Sequence, residues 1–162
     1  MSSKDFSYDL TNIPSGSKRR ISIVATEWNT EIIDALLDGA VSTLLKQGVK
    51  KNDIFIHRVP GTFELSFAAK HILENEDIDA VIVLGAVIQG ETRHFDFICQ
   101  SVTQGITQLN LDYEKPIIFG VLTTNNMEQA RDRAGGKLGN KGAEAAIAAL
   151  KMIYFKDSVL IN

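Results

Sequence analysis

Four apolar, β-branched runs at residues 21–25, 54–59, 80–88 and 117–122 constrain this chain more than any other feature. They read as buried strands, because uniformly apolar runs have no face to turn to water. Between them, apolar residues recur at helical spacing. Ile32, Ile33, Leu36, Leu37, Ala40, Val41, Leu44 and Leu45 form one stripe, with Asn29 as its expected N-cap and Gly48 as its stop. Leu65, Ala68, Ala69, Ile72 and Leu73 form a second, and Ile98, Val102, Ile106 and Leu109 a third. A short helical piece at 127–133 precedes a fourth stripe at 143–153. Alternation of this kind predicts an α/β protein, a three-layer α/β/α sandwich around a four-stranded parallel sheet.

A chain of 162 residues fits one core. Residues 1–17, with Pro14 and Gly16, read as an N-terminal arm, and 18–162 as a single domain. Seventeen Lys and Arg against 20 Asp and Glu, with 44% hydrophobic residues, describe neither a disordered chain nor a polyanion binder, so nucleic acid is not an expected partner. No run approaches the roughly 20 apolar residues of a membrane span, and the first residues lack a secretory apolar core, so a soluble, cytoplasmic protein is expected. Lys18, Arg19 and Arg20 read as a solvated approach to the first strand. Cys99 is the sole cysteine and reads as a packed, inert thiol.

In open parallel sheets a ligand sits at the carboxyl ends of the strands. Trp28 and Phe63 follow the first and second strands and could sandwich a flat heterocycle, although Phe63 reads equally well as a subunit contact and Phe67 more readily as one. His94 falls in the first turn of the third helix, where the helix dipole favours a neutral ring suited to proton transfer. A lone histidine is more often a packed or surface residue. The preceding Gly90-Glu91-Thr92 offers backbone N–H groups as an anion cradle, and Arg133 with the glycine-rich 135–142 turn adds cations. No G-x-G-x-x-G follows the first strand, and the Gly-Lys turn fails as a P-loop, with Asn140 in place of its second glycine. His57, His71 and His94 lack metal-ligand spacing, so neither metal nor nucleoside triphosphate is expected.

Five linked motifs carry a resemblance. They are Val59-Pro60-Gly61-Thr62-Phe63-Glu64-Leu65; Leu84-Gly85-Ala86-Val87-Ile88-Gln89-Gly90-Glu91-Thr92-Arg93-His94-Phe95; Phe119-Gly120-Val121-Leu122-Thr123; Gln129-Ala130-Arg131-Asp132-Arg133-Ala134-Gly135; and Gly139-Asn140-Lys141-Gly142-Ala143-Glu144-Ala145-Ala146. In this order and spacing the chain resembles the 6,7-dimethyl-8-ribityllumazine synthases of riboflavin biosynthesis over about residues 21–152.

The resemblance implies a flavodoxin-like sheet and the condensation of 5-amino-6-(D-ribitylamino)uracil with 3,4-dihydroxy-2-butanone 4-phosphate, with no cofactor. It implies that Trp28 stacks on the pyrimidine, Thr62 and Phe63 line its pocket, and Glu64 binds the ribityl chain. Asn29 and the backbone of Ala86, Val87 and Ile88 would hold the ring and its side chain. His94 would be the acid/base residue, Glu91 and Thr92 the phosphate-binding helix start, and Phe119, Arg133 and Lys141 contributions from a neighbouring subunit. A homo-oligomer follows, a pentamer that the short 135–142 turn would allow to close into a 60-subunit shell, with riboflavin synthase as a candidate partner. Gln89 departs from the Arg or Lys of many members. A shell or flavin-binding module without turnover is the competing reading, and the joint presence of Phe63, Glu64, His94, Arg133 and Lys141 speaks against it.

Overall fold

The computed structural model describes residues 12–160. Strands β1 (Ile21–Thr26), β2 (Ile54–Val59), β3 (Ala80–Ile88) and β4 (Ile117–Thr124) form one parallel sheet in the order β2-β1-β3-β4. Helices α1 (Thr30–Lys46), α2 (Leu65–Asn75), α3 (His94–Asp112), α4 (Met127–Arg133) and α5 (Lys141–Leu160) connect and cover it. The three-layer α/β architecture read from the sequence is the one observed.

Side-chain alternation along each strand divides the core. Ile23, Ala25, Ile82 and Leu84 pack with Ile33, Leu36, Ala146 and Leu150 beneath α1 and α5. Val24, Val81, Val83 and Val121 pack with Leu65, Ile72, Val102 and Ile106 beneath α2 and α3. Each fully buried Ile or Leu contributes about 1.5–3 kcal/mol of transfer free energy, so this double face holds the strand ends in place.

Several local expectations need correction. β2 is not a buried strand: it lies at the sheet edge, and Ile56 is 49% exposed. Asn29 occupies the N-cap position of α1 but makes no side-chain capping bond, because it adopts a left-handed conformation (φ 59°, ψ 47°). Gly48 does stop α1, at φ 93°, with the N–H groups of Gly48 and Val49 returning to the carbonyls of Leu45 and Leu44. The basic run is tied down rather than freely solvated: Arg19 pairs with Asp79 and Asp157, and Arg20 with Asp77 while its guanidinium lies over the Phe55 ring. The fourth stripe belongs to a helix that begins at Lys141 and continues to Leu160.

The glycine-rich turn before α5 folds into a hairpin of β5 (Ala134–Gly136) and β6 (Gly139–Asn140), with Gly135 and Gly139 at positive φ. Asn140 then caps α5, its Oδ1 accepting from the N–H groups of Gly142 and Ala143, while its Nδ2 donates to the Ala35 carbonyl of α1 at 2.8 Å. The helices meet so closely that a Cβ on Gly142 would lie 1.8 Å from the Leu36 carbonyl oxygen. Residues 1–11 of the expected arm lie outside the described residues. Its remainder rests on the domain, with Ile13 against the α1–α5 core and the Gly16 N–H donating to Gln47 O at 2.8 Å. Among the described residues no helix is long and apolar enough to cross a membrane.

Candidate substrate crevice

The carboxyl ends of β1, β2 and β3 open into a crevice of about 650 Å³. Four pieces of chain wall it. The β1–α1 turn brings Trp28 and Asn29, and a single 3₁₀ turn, Thr62–Glu64, brings Thr62, Phe63 and Glu64 beside Gly61. The end of β3 supplies Ala86, Val87 and Ile88 as the floor, and α3 supplies His94, Phe97 and Ile98. Nine of these residues, from Trp28 to His94, are those the sequence singled out. Gly61, Phe97 and Ile98 are additions; Phe97 and Ile98 lie three and four residues past His94, on the same side of α3.

The β1–α1 turn is held in an unusual way. The N–H groups of Glu27 and Trp28 donate to the carbonyls of Val59 (2.8 Å) and Pro60 (3.3 Å), extending the β1–β2 pairing past the last strand residue. Pairing of β1 with β3 ends at Ala25 and Leu84, and the Asn29 side chain bridges the gap by donating from Nδ2 to the Ala86 carbonyl at 3.0 Å. Asparagine adopts this left-handed backbone more readily than other residues with a side chain, which suits it to the position. The turn leaves Trp28 74% exposed, and Phe63, on the same crevice, is 58% exposed. Two large apolar rings in water beside an open crevice are suited to cover both faces of a flat ligand.

The chemistry is asymmetric. Glu64 offers a half-buried carboxylate and His94 a ring that can donate and accept, but no described lining residue is Lys or Arg. Glu91 and Thr92 lie in the exposed bend before α3, off the lining, and Thr92 Oγ1 accepts from the His94 N–H at 3.4 Å. Phe119 sits half-buried in β4, paired in register with Val83, and does not line the crevice.

Arg133 and Lys141 converge elsewhere, at the hairpin and the start of α5. Both terminal nitrogens of the Arg133 guanidinium, Nη1 and Nη2, reach Glu144, Nη1 also donates to the Leu138 carbonyl, and Lys141 Nζ lies 3.5 Å from Glu144 Oε2. Burial pushes the Glu144 carboxyl upward, but the hydrogen bonds and charge of Arg133, aided by Lys141, outweigh it and hold the group below the ordinary carboxylate range. Sequence reading did not single out Glu144; the signal was its spacing of three from Lys141. Cys99 is half-buried on α3, and burial, with Asp96 adding to it, pushes its thiol up, in keeping with an inert role. Among the described residues no group of three or more His, Cys, Asp or Glu side chains is placed to hold a metal.

Fold and crevice define a parallel α/β protein with an open crevice at its strand ends, lined by Trp28, Phe63, Glu64 and His94. Comparison with known proteins narrows the class. The family model for 6,7-dimethyl-8-ribityllumazine synthase matches residues 18–157. Proteins of that name from Cytophaga hutchinsonii, Bacteroides fragilis and Parabacteroides distasonis are 61%, 58% and 55% identical to the chain. The alignments cover 87%, 84% and 91% of this chain and 89%, 95% and 92% of those relatives. The chain belongs to the 6,7-dimethyl-8-ribityllumazine synthase family, enzymes of riboflavin biosynthesis.

Proposed function

We propose that the chain condenses 5-amino-6-(D-ribitylamino)uracil with 3,4-dihydroxy-2-butanone 4-phosphate at a composite site, of which the crevice is one half. The observation that carries this reading is the crevice's lack of a described cationic lining residue, while Arg133 and Lys141 are gathered at the start of α5. A phosphate ester needs cations, and a neighbouring subunit in a ring can deliver that patch, with Phe119, to the crevice.

In this reading Trp28 and Phe63 hold the pyrimidine between their rings, with Thr62 beside it. Asn29 and the β3 backbone from Ala86 to Ile88 fix the ring's polar edge, and Glu64 accepts hydroxyl hydrogens of the ribityl chain. The ring amine attacks the ketone carbon and water leaves to give an imine. Phosphate is then eliminated, the enol left behind becomes a ketone, and the ribitylamino nitrogen attacks that carbon and expels a second water as the new ring closes. Each step moves a proton. His94, at the crevice wall, is the group placed to accept and return it. Glu91-Thr92 adds backbone donors for the phosphate beside the partner's cations. Most of the acceleration comes from holding two reactants in register.

The assembly proposed is a cytoplasmic pentamer, twelve of which close into a 60-subunit shell that can associate with riboflavin synthase. Exposed Phe63 and Phe67 favour subunit contacts, and the tight hairpin before α5 leaves out the insertion that would keep pentamers apart. Residues 1–17 act as the arm of a single domain spanning 18–162. Purified protein with both substrates should develop lumazine absorbance and release phosphate; neither appearing would overturn the catalytic reading. A sedimentation boundary near five chain masses alone would overturn the shell.

A further inference from the structure

Arg58 stands on the edge strand β2, opposite Ala25 of β1, and its guanidinium reaches beyond its own strand in two directions. Nη1 donates to the carbonyl of Thr26, the last residue of β1, at 3.2 Å, and Nη2 donates to Asp34 Oδ1 of α1 at 2.5 Å. Trp28 and Asn29 lie on the segment between those two anchor points. We propose that Arg58 is a positioning residue for the crevice, clamping the end of β1 to the start of α1 so that the Trp28 indole and Asn29 amide stand where the substrate's flat ring binds. The proposal rests on the reading of Trp28 as a wall of the substrate site.

Three observations carry it. Trp28 is mostly in solvent, so the direction of its ring depends on the backbone that carries it rather than on packing. That backbone contains a left-handed Asn29, a conformation that persists only where surrounding contacts over-determine it. The two ties made by the Trp28 peptide itself are long: Thr26 Oγ1 donates to the Trp28 carbonyl at 3.4 Å and the Trp28 N–H reaches Pro60 O at 3.3 Å, whereas its neighbours are held more closely, Thr30 Oγ1 donating to the Glu27 carbonyl at 2.9 Å. The Arg58 fork adds a charged donor to each flank. A lysine cannot substitute for it, since one ammonium on a flexible stem does not span a carbonyl and a carboxylate in fixed directions. The Arg58 and Asp34 side chains are 35% and 51% exposed, and exposed ion pairs contribute little to global stability. The effect of Arg58 is therefore local to the turn.

Trp28 is the sole tryptophan of the chain, so its fluorescence reports this turn alone. In the assembled enzyme, Arg58→Met should lower Trp28 anisotropy and raise its acrylamide quenching, with melting little changed. It should raise KM for the ribitylaminouracil roughly threefold to tenfold, while kcat and KM for the butanone phosphate move less than about twofold. Arg58→Lys should recover only part of both signals, and Asp34→Asn should reproduce part of the loss. Unchanged quenching and unchanged KM for the ring substrate in folded Arg58→Met would overturn the proposal. So would a lowered melting temperature with kcat and both KM values degraded together, which marks a general structural role. Trp28→Ala separates the two levels: normal ring-substrate binding in that variant removes the site reading itself, whereas a weakened Trp28→Ala beside a normal Arg58→Met overturns only the role of Arg58.

Discussion

Glu144 grips Arg133 by both ends of its guanidinium, Nη1 to Oε1 and Nη2 to Oε2, each at 2.8 Å. Glu144 thereby fixes where the guanidinium stands; with Arg133 read as the phosphate ligand, its remaining N–H groups meet the phosphate, and Arg133→Ala should raise KM for the butanone phosphate by about tenfold or more while leaving that for the ribitylaminouracil nearly unchanged. Arg133→Lys should not restore it, since a point charge lacks the paired geometry. Steady-state kinetics with each substrate varied in turn measures this, and an unchanged KM for the phosphate substrate would refute the assignment.

The same pair predicts a pH dependence. The folded state holds the Glu144 carboxyl below its ordinary pKa, so its stabilising contribution is fully present above about pH 4.5 and fades as pH falls below that toward the folded value. Both side chains are mostly buried, and the pair contributes on the order of 1 kcal/mol at neutral pH. The gap in melting temperature between the native chain and Glu144→Gln, at fixed protein concentration, should be largest near pH 7 and shrink on acidification below about pH 4.5. A constant gap would show that the carboxylate charge is irrelevant.

His94→Ala should lower kcat and spare binding of a non-reactive analogue of the pyrimidine. Removing a proton shuttle typically costs about 10²- to 10⁴-fold, and the low end applies because imine formation proceeds slowly without an enzyme base. An equal loss of analogue affinity would make His94 a binding residue instead.

Two impaired chains should rescue each other when assayed with the butanone phosphate well below its KM, where each substitution alone cuts the rate steeply. If His94 and Arg133 reach one site from different subunits of the proposed ring, unfolding His94→Ala and Arg133→Ala variants together and reassembling them at equal amounts should give about a quarter of native activity by random placement. Each variant must first be shown by sedimentation to reassemble alone. Recovery near zero from properly mixed rings would place both residues in a single-subunit site.

Gly142→Ala should be among the most damaging small substitutions. The added methyl would fall 1.8 Å from the Leu36 carbonyl oxygen, a backbone atom that cannot swing aside, so α5 must move off α1. Destabilisation of at least about 2 kcal/mol is expected, read as a lowered melting temperature or a loss of soluble assembly. Melting within a degree of the native chain would contradict the close approach.

The sheet was legible because its strands are runs of β-branched residues bounded by turns, a signal contained in neighbouring residues. The exposure of β2 was not, since an edge position depends on strand order and not on the run IFIHRV itself. Asn29 shows the limit of residue preference: a typical capping side chain took a left-handed backbone because a tertiary acceptor, the Ala86 carbonyl, was in reach. The hairpin at 134–140 has strands of three and two residues, too short to show any period. Of the crevice, the aromatic and acidic residues after each strand were legible. Ile98 was overlooked because it sat in what reads as an ordinary helical stripe, Phe97 because nothing in its neighbours sets it apart, and Glu144 because it lies in an alanine-rich run.

Helix α1 has the β1–α1 turn at its first residue and the Gly142 crossing near Leu36, six residues further and roughly 9 Å along its axis. One rigid rod therefore sets the spacing between the crevice and the cation patch of the same subunit. In a closed ring each subunit would present these features to opposite neighbours, so an offset at that crossing would recur at every joint and accumulate around the circle. The tight glycine contact acts as a gauge block: it sets a length once per chain, and in the proposed ring the fit of every site would inherit its tolerance.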